Sequence, residues 1–467
     1  MSSEPLEVPV SADNLWVERR AFPTTAAFAA TAASARTVRS APSPGSGIGP
    51  DGPPIILDIS RLLSRAGRDT PTGIDRVELA YAEHLCAAPV PVQFAVSDAF
   101  GRFGLVPRQA AIGYVAALGA VWRGTDLAAS HDRRLERIAS RLRLDAVLRG
   151  AGALRTRLAA GPEPSVYLLV SHFRLEARRA LARLKGSGRT RLVCLIHDLI
   201  PIEFPEYAKP GQDRRHRQRI ETAAALADAI IVASTAVGDA FRPYLQRAGR
   251  SPPVLVAPFG WHLPKPPPIP SAPHRPNPSP YFVCVGTIEA RKNHLLLLNV
   301  WRRLAAEFGA AAPRLVLIGQ RGWLTQHVID MLERSPALNG LVIERNTLRD
   351  AEMAELIGGA RALLQPSFAE GFGFPVIEAL ALGVPVLCSD LPALRQTGGA
   401  VPDYLDPLDG NGWRAAIVDY AAPQSPRRAA QLQRLAHWRP ARWQDHFTAV
   451  HQLLAQFAEL EGAPSAA

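Results

Sequence analysis

From residue 53 onward, short unbroken apolar runs alternate with longer stretches in which apolar positions recur at helical spacing. The runs in the first half are Ile55-Ile56-Leu57-Asp58-Ile59, VQFAV, VYLLV, RLVCLIHD and AIIVAS, with helical segments such as VELAYAEHL between them. Unbroken runs of this length suit strands buried on both faces, and their alternation with helices predicts a parallel α/β domain. A proline-rich string, PFGWHLPKPPPIPSAPHRPNPSP, follows at 258–280 and reads as a stiff, extended linker. A second alternation starts after it. YFVCVGT, RLVLIG, LVIER, ALLQPS and VPVLCSD read as strands; HLLLLNVWRRLAAEF, WLTQHVIDMLERS and DAEMAELIGGA read as helices. The expected organisation is a disordered tail (1–52) and a Rossmann-like domain (53–262), then a linker (263–280). A second Rossmann-like domain (281–438) and a terminal helical segment (439–467) complete it. The tail is small, polar and rich in Pro, Gly and Ser, with little to bury. Two doubly wound sheets bind ligands beyond the C-terminal ends of their strands.

Composition narrows the function. The chain has 467 residues and a net charge of +11, yet only four residues are lysine. No apolar run approaches the ~18–20 residues of a membrane span. The N-terminal stretch is acidic and polar, unlike a secretory signal. Cys86, Cys194, Cys284 and Cys388 are scattered without metal-ligand spacing, so no metal and no cofactor are expected, and a reducing cytoplasm is the default. No aromatic-basic platform points to nucleic acid; diphosphates or anionic lipid suit the charge better. Residues 131–161 are strongly basic, and Leu135, Ile138, Leu142 and Val147 can form an apolar stripe between arginines. Such a helix can lie on an anionic membrane or pack on its own domain.

Residues 364–390, LQPSFAEGFGFPVIEALALGVPVLCSD, carry the most chemistry. Glu370 and Glu378 bracket Gly371-Phe372-Gly373-Phe374-Pro375. The glycines allow close backbone approach, and Pro375 suits a first helical turn. The predicted helix points free N–H groups forward, which makes an anion site. Residues 286–293, Gly-Thr-Ile-Glu-Ala-Arg-Lys-Asn, follow a strand. Gly286 and Thr287 open this loop; Arg291 offers a planar fork and Lys292 a point charge for a diphosphate. In the first domain His197-Asp198-Leu199-Ile200-Pro201 ends a strand, where an α/β fold places chemistry. In Thr72-Gly73-Ile74-Asp75-Arg76-Val77, Gly73 can admit a phosphate or acceptor and Arg76 can pair with a phosphate. The same loop also works as a helix cap.

The stretch from Glu370 to Glu378 resembles the E-x7-E signature of family 4 retaining glycosyltransferases, and the likeness runs over roughly 53–460. It implies a GT-B fold: two Rossmann-like domains facing across a cleft, with the terminal helix crossing back to the first. Glu370 would bind donor-sugar hydroxyls, and the amides of Gly371, Phe372 and Gly373 would face the sugar and distal phosphate. Glu378 would take both ribose hydroxyls, and residues 344–348 would lie at the base. Many members start the basic loop with Gly-Arg and carry Lys six residues past the Gly. Lys292 keeps that place and Thr287 replaces the Arg, a charge Arg291 can supply. The HDLIP run resembles the polysaccharide mannosyltransferase branch and puts His197 near the anomeric centre. The resemblance thus implies a retaining hexosyltransferase using a GDP- or UDP-sugar, GDP-mannose foremost. Its acceptor would be a lipid-linked saccharide at the inner face of the cell membrane, in surface-polysaccharide assembly. A GT-B isomerase or hydrolase of nucleotide-sugars, or a non-catalytic subunit, are the rivals.

Overall fold

The computed structural model describes residues 53–98, 102–125, 133–160, 165–186, 189–261, 263–264 and 280–462. The tail expected at 1–52 and nearly all of the linker expected at 263–280 lie outside the described residues.

Two sheets organise the chain. The first is ordered β3-β2-β1-β4-β5-β6-β7. It comprises β1 (Ile55–Asp58), β2 (Val92–Ser97), β3 (Phe103–Val106), β4 (Ser165–Leu169), β5 (Thr190–Ile196), β6 (Ala229–Val232) and β7 (Val254–Val256). Only β3 runs antiparallel to its neighbour. The second sheet is parallel throughout and ordered β10-β9-β8-β11-β12-β13. It comprises β8 (Tyr281–Val285), β9 (Arg314–Ile318), β10 (Val342–Arg345), β11 (Leu363–Gln365), β12 (Val386–Ser389) and β13 (Asp403–Leu405). Every apolar run read as a strand is one. The short strands β3, β7 and β13 at or near sheet edges were not anticipated; three or four residues give too little pattern to read.

Both faces of each sheet are covered, as the unbroken runs require. Ile55 and Leu57 enter one core with Val77 and Tyr81, whereas Ile56 joins Tyr167, Cys194 and Phe241 on the other face. In the second sheet Phe282 and Cys284 face Trp301 and Trp413, and Val283 and Val285 face Val376 and Leu380. The helix Trp443–Gly462 lays Phe447, Val450, Leu453 and Leu454 into the first domain's core. There Tyr81 Oη lies 2.7 Å from His446 Nε2, and Phe447 stacks on His84 with ring centroids 3.8 Å apart.

The basic region departs from the lipid-facing reading of its stripe. In the helix Arg134–Asp145, Leu135, Ala139 and Leu142 are buried in the first domain's core, and Ile138 packs beside them. Gly104 of β3 explains the fit. A Cβ there would stand 2.3 Å from the Ala146 carbonyl, so only glycine lets this segment press onto the strand. Of the four stripe residues Val147 alone is exposed, with Leu144 and Leu148 beside it.

In both sheets strand order reverses beside the first strand, between β1 and β4 and between β8 and β11. Chain leaving the C-terminal ends of these strands lines the space between the two domains. The domains touch there directly: Trp323 Nε1 donates to the Tyr207 carbonyl at 2.8 Å, and the Thr235 amide to Gln396 Oε1 at 2.7 Å.

Candidate active site

β11 leads into Pro366-Ser367-Phe368-Ala369-Glu370-Gly371-Phe372-Gly373 and then the helix Phe374–Ala381, which Gly373 opens at φ 97° with Pro375 in the first turn. The sequence reading had the glycines admit a ligand; in the structure they admit protein. A Cβ on Gly371 would lie 2.5 Å from the His197 carbonyl oxygen, and one on Gly373 2.4 Å from Leu394 Cδ2. The carbonyls of Gly371 and Phe372 accept from Ser234 Oγ (2.9 Å) and Thr397 Oγ1 (2.5 Å). That fixes the peptide planes, and the amides of Gly371, Phe372 and Gly373 donate to no protein acceptor among the described residues. They stand at a helix N-terminus, where an anion is favoured.

Glu370 is the hub. Its Oε1 accepts from Lys292 Nζ at 2.5 Å, Gln365 Nε2 at 2.6 Å and Ser367 Oγ at 2.7 Å. Oε2 accepts from Arg291 NH1 at 3.1 Å. Burial alone would raise the pKa of this carboxyl, but Lys292 and then Arg291 override it and hold it at about 2. Lys292 is itself buried, and its stem passes Gly286, where a Cβ would sit 3.4 Å from Lys292 Cε. Arg291 was expected to offer an open fork to a phosphate in place of the residue missing at Thr287. In the structure Nε binds Glu289 at 2.6 Å, and NH1 binds the Ala369 carbonyl at 2.8 Å besides Glu370. Arg291 braces the glutamate loop.

Glu378 lies in the second turn of the same helix, 3% exposed, and its Oε1 has no partner. Burial pushes its pKa up to about 7, with Arg76 opposing and Asp350 adding to the rise. Arg76 reaches across from the first domain and grips Asp350 with both terminal nitrogens, at 2.9 and 2.6 Å. Its fork, read as a phosphate partner, is therefore spent on a carboxylate. Gly73 begins the helix Gly73–Ala87, which Thr72 and Asp75 close with a reciprocal capping box. The cap reading of that loop is thus realised. A Cβ on Gly73 would stand 3.2 Å from the Phe374 ring, so the two helix starts face each other across the cleft.

His197 ends β5. Its amide donates to His172 Nε2 at 3.1 Å, and its own Nε2 lies 2.8 Å from the Val170 carbonyl. A carbonyl only accepts, so Nε2 carries the hydrogen. Burial lowers the pKa to about 4, which leaves the ring neutral at ordinary pH. Asp198 Oδ1 accepts from the Ile200 amide at 3.2 Å and its carbonyl from His216 Nε2 at 3.0 Å. His172 and His216 pack edge to face at 4.7 Å beside His197. Among the described residues no group of His, Cys, Asp and Glu is arranged to hold a metal ion.

Residues 279–420 match the family model described as glycosyl transferases group 1. The chain is 33% identical over 165 residues to the O-antigen chain mannosyltransferase B of Escherichia coli, covering 35% of this chain and 43% of that protein. It is 27% identical over 253 residues to the serotype-specific mannosyltransferase WbdA of the same organism, covering 50% of this chain and 31% of that one. It thus spans less than half the length of these curated relatives. A sucrose-phosphate synthase from Thermosynechococcus elongatus superposes with a TM-score of 0.55 at 16% identity, over 87% of this chain and 100% of that one. Anabaena Alr3699/HepE in complex with UDP does so at 0.55 and 17%, over 88% and 99%. At these identities the likeness is one of fold, and the fold is GT-B.

The matched segment holds Gly286, Thr287, Arg291, Lys292, the Glu370 loop and Glu378. The facing domain contributes Arg76, His197 and Asp198 to the same cleft. Sequence reasoning missed Asp350, Gln365, Ser367 and Glu289, which orient the charged groups, and also His172. His172 had a readable signal: VYLLVSH ends in a histidine just past a strand, as RLVCLIHD does. Glu344 of β10, among the residues expected at the base, is held by Arg321 at 2.9 Å.

Proposed function

We propose that the protein is a retaining glycosyltransferase that moves a hexose, mannose from GDP-mannose foremost, onto a lipid-linked saccharide in surface-polysaccharide assembly. The observation that carries the reading is a pair of buried glutamates flanking one helix N-terminus. Glu370 is locked as a carboxylate by Lys292, and Glu378 presents an unpartnered oxygen. Ionised Glu370 accepts hydrogen bonds from sugar hydroxyls, and Glu378 accepts from ribose hydroxyls. As the sugar–phosphate bond breaks, charge grows on the diphosphate, where Lys292 and the amides of Gly371 to Gly373 stabilise it. His197 is neutral, with its Nε2 hydrogen held by Val170. An imidazole of pKa about 4 is a weak base. It positions the sugar, and the departing phosphate takes the acceptor's proton on the face it leaves. The two mannosyltransferase relatives support mannose as the sugar. Exposed Leu144, Val147 and Leu148 beside Arg141 and Arg149 support a peripheral contact with anionic lipid.

The test is product analysis with GDP-mannose, UDP-sugars and a mannoside acceptor. NMR of the new anomeric centre should show an α product from the α-linked donor. A β product overturns retention, and consumption of no nucleotide-sugar overturns the transferase.

Glu378 gives a second expectation. An ionised carboxylate accepts from both ribose hydroxyls, and its pKa in the free protein is about 7. GDP affinity should therefore rise with pH through 7, and binding should release a proton. In Glu378→Gln that step should vanish and affinity should drop roughly tenfold or more, while the nucleotide's own titration stays common to both proteins. Identical pH profiles by titration calorimetry would remove Glu378 from the ribose.

A further inference from the structure

Beside Glu370 the two domains line a cavity of about 270 Å³. Its walls include Asp198, Glu203 and Phe204 from the first domain and Phe368 and Glu370 from the second, with the small Ala236 and Ala240. We propose that this cavity is the acceptor subsite and that it takes one neutral, hydroxyl-bearing sugar ring, the end of the glycan that is extended. The inference rests on the transferase reading above and names where its second substrate sits.

Charge excludes the alternatives. The chain carries 53 Lys and Arg and a net charge of +11, yet no lysine or arginine lines this cavity. Three carboxylates do. Glu370 is paired with Lys292 and Arg291, but no lining cation faces Asp198 and Glu203, so a phosphate, a nucleotide or a carboxylated sugar would meet like charge there. A polyol meets acceptors for its O–H groups. The rest of the wall is apolar: Phe204 stacks on Tyr207 (centroids 6.0 Å apart), and Tyr207 stacks on Phe368 (5.6 Å apart, 9° between planes). A pyranose has the matching make-up, with hydroxyls on its rim and an apolar C–H face. The volume agrees. Pockets for drug-sized ligands run from ~300 to ~1,000 Å³, so this one suits a single ring and excludes a nucleotide. Position agrees as well. Glu370 forms part of the wall, so a ring seated here lies beside the donor-sugar place, and Gly371 at the same wall touches His197.

The test uses octyl α-D-mannopyranoside as probe with the full chain and GDP present. Saturation-transfer NMR should detect probe binding to the unaltered protein. Ala240→Phe, which fills the cavity, should abolish it, and Glu203→Gln should weaken it roughly three- to tenfold. In transfer assays both changes should raise the KM for the mannoside and leave GDP affinity at its original value. Binding that Ala240→Phe and Glu203→Gln leave unchanged overturns the subsite, as does equal displacement of the probe by inorganic pyrophosphate. Glu203 is at the surface, so Glu203→Gln keeps the test decisive if Ala240→Phe misfolds. Failure of the two readings is distinguishable. A protein that consumes no nucleotide-sugar but binds the mannoside in an Ala240-dependent way refutes the transferase and keeps the saccharide site.

Discussion

Lys292→Ala should lower kcat/KM for the nucleotide-sugar by roughly 10- to 150-fold and also reduce stability. The first effect follows from removing one charge-assisted contact to the leaving diphosphate, commonly ~1.5–3 kcal/mol. The second follows from the ground state. Lys292 supplies one of three bonds to Glu370 Oε1 and is the main cation that holds that carboxylate ionised against burial. Removing one partner of a buried pair often costs ~3–5 kcal/mol. Arg291 stays on Oε2, so the lower end is expected. The pH dependence has a definite sign. Because Glu370 is depressed from 4.5 to about 2, its contribution is complete above 4.5 and is lost as pH falls toward 2. Without Lys292 the folded pKa climbs, so the stability deficit should be large at pH 7 and shrink below pH 4. Lys292→Arg should not rescue. The stem runs in close contact with Gly286, and a planar fork does not fit where three donors already converge on one oxygen. Thermal unfolding at pH 7 and pH 4 with steady-state kinetics checks both parts. A folded Lys292→Ala protein with unchanged kinetics would remove this lysine from the site.

The same pair shows what the sequence made legible. The strands β1, β5, β8 and β12 were readable because each is an unbroken apolar run, as burial on both faces demands. Lys292 and Glu370 were each readable as strand-end charges, and so was His197. Their mutual arrangement was not, since Lys292 and Glu370 are 78 residues apart and meet only because β8 pairs with β11. The basic loop therefore read as a phosphate clamp, whereas in the structure Arg291 is committed to Glu289, Ala369 and Glu370. The stripe of Leu135, Ile138 and Leu142 left membrane and domain open as its cover for a related reason. Periodicity says that a face is covered, and tertiary contact says by what. Here the cover is the first domain's core, admitted by Gly104. Asp350 carried no local sign at all. It opens an ordinary helix, and only the approach of a residue 274 positions away makes it part of the cleft.

That approach leads to the last expectation: Arg76→Ala should destabilise the protein by about 3–5 kcal/mol and weaken nucleotide binding at the same time. Arg76 is the bidentate partner of Asp350 and the cation that opposes the effect of burial on Glu378. Asp350 and Glu378 are buried, so truncation of Arg76 leaves two carboxylates facing each other without their cation. Arg76→Lys should recover little, because a point charge cannot hold both oxygens of Asp350. Combining Arg76→Ala with Asp350→Ala should cost less than the sum of the single changes, by ~0.5–3 kcal/mol, since the second change removes the charge stranded by the first. The pH signature is opposite to that of Lys292→Ala. Glu378 is raised from 4.5 to about 7, so its protonated form favours folding fully below 4.5, and that benefit is lost as pH rises through 7. Loss of Arg76 raises the folded pKa further. The folded variant then keeps Glu378 protonated to higher pH, and its affinity for GDP should recover only at more alkaline pH than in the unaltered protein. Denaturant unfolding across pH 5–9 with GDP titrations at each pH decides the matter. An Arg76→Ala protein of unchanged stability, or one whose GDP affinity keeps its original pH midpoint, would show that the bridge to Asp350 neither braces the cleft nor tunes Glu378.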